Sequence, residues 1–232
     1  VSVGKFQDVK NEVHTDNCVK LGVDIVRRIT GGGTVYHDAE NEVTYSVIAD
    51  KQDLNAKDVT AVYERIYSGL AEALKILGVK ADFNRGNEKT CPNLTVKGKK
   101  ISGSAQSHKK GVVLQHGTLL LDINLERMFT LLKVPWANSC MQVVNVAKNR
   151  ITSIRSEAAR NVSETGAYHA LIEGFEKALD VKLVHGELTY FEVKLAERLR
   201  ETKYATVPRL FLRFHLAAGS ARGCRREPHD FE

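Results

Sequence analysis

"RRITGGGTVYHD" occupies residues 27–38 and places two arginines, three successive glycines, an aromatic residue and a His-Asp pair in twelve positions. Such a run suits neither a helix interior nor a packed strand, because each glycine has backbone freedom to lose and no side chain to bury. What the glycines supply is access. Backbone N–H groups can approach a bound anion, and positive φ values carry no steric cost. Arg27 and Arg28, just before them, are able to present a planar fork to a phosphate or carboxylate. The spacing is neither the G-x-x-x-x-G-K-[ST] nor the G-x-G-x-x-G pattern that seats phosphates at a helix N-terminus. From these residues alone, a ligand cradle and a glycine-rich hairpin turn between solvated arginines stand level.

The flanks of the run read as strands. "VDIV" (23–26) is a short apolar segment leading into it, and "EVTYSVIAD" (42–50) alternates Val43, Tyr45, Val47 and Ala49 on one side. Residues 57–77 carry Val59, Val62, Ile66, Leu70, Leu74 and Leu77 at helical spacing, with Gly78 as the stop. "NLTVKGKKISGSAQ" (93–106) predicts two strands around a Lys97-Gly98 turn, and "VVLQHGTLLLDI" (112–123) a further strand. Helices are predicted over 125–132, over 167–179 with Leu171, Phe175 and Leu179 on one face, and after the capping box Thr189-x-x-Glu192. Strands with interspersed helices predict an α+β domain, a mixed and largely antiparallel sheet with helices packed on it.

Composition narrows the function classes. The chain has 232 residues, enough for one sizeable core, and no apolar run of the ~20 residues that a membrane-spanning helix needs. Cys18, Cys91, Cys140 and Cys224 are scattered without a C-x-x-C pair. That spacing fits neither a zinc site nor a disulfide framework, no other side-chain cluster for a metal is visible, and a cytoplasmic location is expected. A formal net charge of +6 suits an anionic partner. Nucleic acid ranks low among these, because aromatic residues do not interleave with the basic ones.

Two further segments carry chemistry. In "GKKISGSAQ" (98–106), Lys99 and Lys100 point to opposite sides of a strand, and Ser102, Gly103, Ser104 and Ala105 leave room beside the backbone. In "LQHGTLLLD" (114–122), His116 next to Gly117 is either a site histidine or a satisfied core one.

Taken in order, "VRRITGGGTVYHD", "GKKISGSAQ", "LQHGTLLLD" and "NRITSIRSE" (149–157) resemble the lipoate–protein ligase A branch of the biotin/lipoate ligase family, over residues 1–204. The resemblance implies a biotin/lipoate ligase-like catalytic domain that couples lipoate or octanoate to AMP with ATP and Mg²⁺. The acyl group then passes to a lysine of lipoyl domains in 2-oxoacid dehydrogenase complexes and of the glycine cleavage H protein. Carried over by position, Arg28, Gly33, Thr34, Val35 and Tyr36 line the acyl-adenylate, and Lys100 contacts acyl carbonyl and phosphate as the catalytic residue. Gly31, Gly32, His37, Ser102, Gly103 and His116 complete the pocket, and Val35 and Val47 border the acyl chain. Family members carry a helix and strand before "VSVG" and a C-terminal accessory domain, which some relatives obtain as a separate small protein. Here residues 205–232 are expected to be an irregular Arg-rich tail.

One departure points elsewhere. Ligases of this type continue the His-Asp pair with Gly-Asn, whereas this chain has Ala39-Glu40-Asn41. "ENEVTYSVI" resembles the related octanoyltransferases, which move an octanoyl group from acyl carrier protein through a cysteine thioester without ATP. Under that reading Cys91 is the candidate nucleophile, although the nucleophile of those enzymes lies further upstream, near the position of Arg85 here.

Overall fold

The chain opens with β1 (Ser2–Val3), two short helices, α1 (Val9–Glu12) and α2 (Thr15–Lys20), and β2 (Val26–Arg27), which pairs in parallel with β1. The computed structural model describes residues 1–87 and 90–211. After the glycine run come β3 (Glu42–Asp50), α3 (Val59–Ile76), β4 (Asp82–Asn84), β5 (Asn93–Val96), β6 (Lys99–Lys109) and β7 (Val112–Leu120). Six more helices follow: α4 (Leu125–Leu131), α5 (Cys140–Ala147), α6 (Ile154–Glu157), α7 (Glu164–Leu179), α8 (Tyr190–Leu199) and α9 (Val207–Phe211). A π-helical turn, Arg200–Tyr204, joins the last two.

Strands β3 to β7 form one antiparallel sheet in the order β3-β7-β6-β5-β4. Its hairpins follow from turn chemistry. Lys97 and Gly98 take φ of 50° and 79°, and Lys110 and Gly111 take 51° and 85°, so each pair closes a two-residue turn of the kind that matches strand twist. Helices α3 and α7 cover one face, where Tyr45, Val62, Ile66, Leu70, Leu74, Leu171 and Phe175 make the main core. They approach so closely that a Cβ on Gly174 would lie 2.5 Å from the Gly69 carbonyl oxygen.

Several expectations change on folding. "VDIV" yields a strand only at Val26 and Arg27. Val47 packs with the α3–α7 core and not beside the site. Helices α1, α2, α5 and α6 are too short to show a helical period. Past residue 204, the expected end of the catalytic domain, the chain forms α9. Arg27, 1% exposed, donates from Nε and Nη2 to the carbonyls of Arg209 and Leu210, and from Nη1 to those of Gly4, Lys5 and Gln7. Residues 212–232 of the expected tail lie outside the described residues. Among the described residues no helix is long and apolar enough to cross a membrane.

Candidate active site

The glycine run is folded by contacts at its own backbone. Gly4 passes beneath it so closely that a Cβ there would sit 2.0 Å from the Gly32 carbonyl oxygen, and Gly32 itself has φ of 83°. Gln7 Oε1 accepts from the Gly4 N–H at 3.0 Å and from Thr34 Oγ1 at 2.8 Å, tying the two layers together. Arg28 is the peg of this arrangement. Nε donates to Thr30 Oγ1 at 3.3 Å, Nη1 to the Ser2 carbonyl at 2.7 Å and to Ser2 Oγ at 2.9 Å, and Nη2 to the carbonyls of Gly31 and Gly33 at 2.9 and 2.8 Å. A guanidinium has five N–H groups, and here each is directed at the protein. Its charge lies under the site while its donors shape the loop.

Above the loop is a cavity of about 290 Å³, walled by residues 32–37, Thr90–Asn93, β6, β7, α4 and the Arg150–Ile151 segment. The "RITS" stretch builds one wall by adding a short parallel bridge to β6. The Lys100 N–H donates to the Arg150 carbonyl at 2.8 Å, and the Thr152 N–H donates to the Lys100 carbonyl at 2.9 Å. Opposite this bridge the β5–β6 register slips between Leu94 and Thr95, a β-bulge of the kind that re-aims side chains beside active sites. Lys100 and Gly103, three residues apart, therefore share the cavity wall, and Ser102 is turned away and fully buried. Bare backbone at Gly103 gives Lys100 its place, because a Cβ there would lie 2.7 Å from Lys100 Cε and Nζ.

Cys91 reaches the same cavity through a closed loop. Gly86, φ 69°, abuts Thr90–Pro92 so tightly that a Cβ would meet the Thr90 carbonyl oxygen at 2.2 Å. The Asn87 N–H donates to the Thr90 carbonyl at 3.0 Å, and Tyr67 Oη anchors the Pro92 carbonyl at 3.1 Å. Arg85, by contrast, is turned towards α3 and pairs with Glu64 at 3.2 Å.

Two histidines complete the cavity. His116 Nε2 is 2.8 Å from Thr30 Oγ1, and its pKa is pushed down to about 4, by burial first and then by Arg28 and His37. His37 Nδ1 is 2.5 Å from the buried Glu42 carboxylate, and its Nε2 is 2.7 Å from Ser2 Oγ. Tyr36 is buried in the wall, and its hydroxyl pKa is raised by burial and by Asp38.

Of the residues singled out in the sequence, Arg28, Gly32 to His37, Cys91, Lys100, Gly103 and His116 meet at this cavity; Gly31 and Ser102 do not line it. Sequence reasoning missed Ser2, Gly117 and the apolar Leu120, Met128, Phe129 and Leu132. Gly117 had a signal, a glycine inside a strand, and a Cβ there would lie 2.5 Å from the Gly103 carbonyl oxygen. Ser2 had none, because its contacts are with residues 26 and 35 positions away.

Residues 1–176 match the lipoyl protein ligase A/B catalytic domain. The chain belongs to this family. It is 35% identical over 225 residues to octanoyltransferase LipM of Anoxybacillus flavithermus, covering 89% of this chain and 80% of that protein. To octanoyltransferase LipM of Bacillus subtilis it is 33% identical over 225 residues, again 89% and 80% of the two chains. Among solved structures of the lipoyl ligase A/B family, it is similar to the bipartite lipoate protein ligase of Thermoplasma acidophilum, with a TM-score of 0.79, 29% identity, and 93% and 82% of the two chains covered. A lipoate–protein ligase A bound with ATP gives a TM-score of 0.78 at 28% identity, over 91% and 82% of the chains.

These likenesses correct the expectation of an ATP-dependent ligase. Relatives at 33–36% identity are octanoyltransferases, so the reading kept second in the sequence takes first place. Two features of the site agree with the correction. The inward-facing donors of Arg28 offer no open fork to a phosphate, and a cysteine lines the same cavity as Lys100. The chain is an enzyme of the lipoate ligase and octanoyltransferase family.

Proposed function

We propose that this protein transfers an octanoyl group from a thioester donor, acyl carrier protein, to a lysine of a lipoyl domain, through an octanoyl thioester on Cys91. The supporting observation is that Cys91 and Lys100 line one cavity. In the first step the Cys91 thiolate attacks the donor's acyl carbon, the donor C–S bond breaks, and the donor sulfur leaves and takes a proton. In the second, the acceptor amine attacks the Cys91 thioester, a C–N bond forms, the C–S bond breaks, and the cysteine sulfur is restored. Lys100 places a positive charge where both steps gather negative charge on oxygen and sulfur. The alkyl chain lies against Leu120, Met128, Phe129 and Leu132. A thioester is already activated, so neither ATP nor Mg²⁺ enters this chemistry. Lipoyl domains of 2-oxoacid dehydrogenase complexes and the glycine cleavage H protein are the acceptors in this reading.

The test is a mass measurement. The protein, kept in reductant, is mixed with octanoyl-acyl carrier protein in the absence of ATP. One octanoyl group on Cys91, chased onto a lipoyl domain, supports the reading, and Cys91→Ser abolishes both. Transfer that requires ATP and leaves Cys91 unmodified refutes it.

A further inference from the structure

The cavity that Cys91 and Lys100 line has a neighbour. On the other side of α4 lies a second cleft of about 900 Å³, bordered by α1, α2 and the start of α5. Phe129 and Leu132 line both spaces, and among the described residues no other does. The two spaces are thus separated by a partition one side chain thick. Beyond it the second cleft continues apolar at Val134, Ala137 and Val143, and its mouth is formed by the exposed Lys10, His14 and Asn138.

This partition is held in place from both flanks. Phe129 is buried and packs with Val143, Val144 and Ala147 of α5. Leu132, where α4 ends, forms an antiparallel bridge with Val13. On either side of it the His14 N–H donates to the Leu131 carbonyl at 2.8 Å, and the Lys133 N–H donates to the Glu12 carbonyl at 2.9 Å. Just before it, Asn17 Nδ2 donates to the Thr130 carbonyl at 2.8 Å. The end of α4 is therefore fastened to α1 and α2 through its own backbone. Packed and fastened in this way, a wall does not make room for extra atoms without cost.

We propose that Phe129, with Leu132 beside it, sets the longest acyl chain that this enzyme accepts. The inference rests on the octanoyl-transfer reading and deepens it to the chain length of the substrate. With the acyl carbon at Cys91, the alkyl chain follows the apolar liners and its far end comes up against Phe129 and Leu132. The space on the reactive side, about 290 Å³, stands at the lower limit of ligand pockets, which run from about 300 to 1,000 Å³. Burial by itself favours longer chains, by about fourfold for each methylene that leaves water. Four more methylenes, as in a dodecanoyl group, amount to about two hundredfold. The partition reverses this order. Those methylenes find no space short of displacing Phe129, although the second cleft lies directly behind it. A pocket that rejects one methylene discriminates by about 10–200-fold.

The experiment is a competition read by mass. Reduced protein is mixed with equal amounts of octanoyl- and dodecanoyl-acyl carrier protein, and the two adducts on Cys91 are weighed in one sample. The unchanged protein should favour octanoyl by at least about tenfold. Phe129→Ala should shift the ratio towards dodecanoyl by about tenfold or more, and Leu132→Ala should shift it the same way by less. Removing a buried phenyl ring weakens the core, but both adducts form on the same folded molecules, so the ratio does not depend on how many remain folded. Phe129→Leu, a milder cut with a smaller shift in the same direction, carries the test if the alanine variant fails to fold. Val143→Ala is the control: it loosens the same core from the far side without breaching the partition, and its ratio should match that of the unchanged protein. An unaltered ratio in the Phe129 and Leu132 variants, an equal shift in Val143→Ala, or ready use of dodecanoyl by the unchanged protein overturns the assignment alone. Failure of the unchanged protein to form any acyl-Cys91 overturns the transfer reading, and this assignment with it.

Discussion

Gly103→Ala isolates the placement of Lys100 from everything else in the site. The new Cβ would lie 2.7 Å from both Cε and Nζ of Lys100, whereas ordinary contact begins at 3.4 Å and extends to 4 Å. The obstructing atoms are the far end of a flexible side chain, so the amine retreats by about 1 Å and the sheet stays as it is. A misplacement of about 1 Å in a catalytic group costs on the order of 10²-fold in rate, equivalent to about 2.7 kcal/mol of barrier. Stability should move the other way. Gly103 lies outside the positive-φ region, and alanine at such a site stabilises by about 0.4–1 kcal/mol through the unfolded chain. The assay pairs thermal unfolding with the rate of octanoyl transfer to a lipoyl domain. An unchanged or slightly raised melting temperature with a roughly hundredfold slower transfer is expected. Activity within about threefold of the starting protein would refute the role given to the Lys100 position, and a lowered melting temperature would refute the claim that the strain is confined to its amine.

Gly174→Ala should do the opposite, damaging the fold far from the cavity. Its Cβ would meet the Gly69 carbonyl oxygen at 2.5 Å and the Ala73 backbone at 2.6 Å, so α3 and α7 must separate, at a cost of about 1–3 kcal/mol readable as a shifted urea midpoint. His116 predicts an acid-side loss of stability. Its pKa is lowered from 6.5 to about 4, so between those values the unfolded chain binds a proton that the folded chain does not. Stability therefore falls as pH drops through that window, and His116→Asn should flatten the slope of unfolding free energy measured between pH 7 and pH 5.

The sheet and the long helices were legible because local periodicity carried them. Val43, Tyr45 and Val47 announced β3, the Lys97-Gly98 pair announced its hairpin, and the capping box at Thr189 announced α8. Periodicity failed where contacts are non-local. The β-bulge between Lys100 and Ser102 leaves no mark on "KKISGSAQ", yet it decides that Gly103 and not Ser102 faces the cavity. Nothing in "RRITGGG" tells which way a guanidinium turns, and both arginines turn inward. The ligase and transferase readings share one fold, so they differ only in a few positions such as Ala39-Glu40-Asn41. Cys91 ranks second in the sequence because of its spacing from Lys100 and the lack of a neighbouring base, whereas in the structure Gly86 packs against Thr90–Pro92 and Cys91 lines the cavity.

The Arg27 guanidinium joins the two ends of the described chain. Its hydrogen bonds run to Gly4, Lys5 and Gln7 on one side and to Arg209 and Leu210 on the other, and Gly4 and Gln7 are the residues on which the glycine run rests. Cutting the protein after residue 204, where sequence reading ends the catalytic domain, would strip that cation of its acceptors on one side and leave it buried beneath the active-site loop. The shortest chain that keeps these contacts therefore includes Leu210, and α9 supports the glycine run from below as the first strand does.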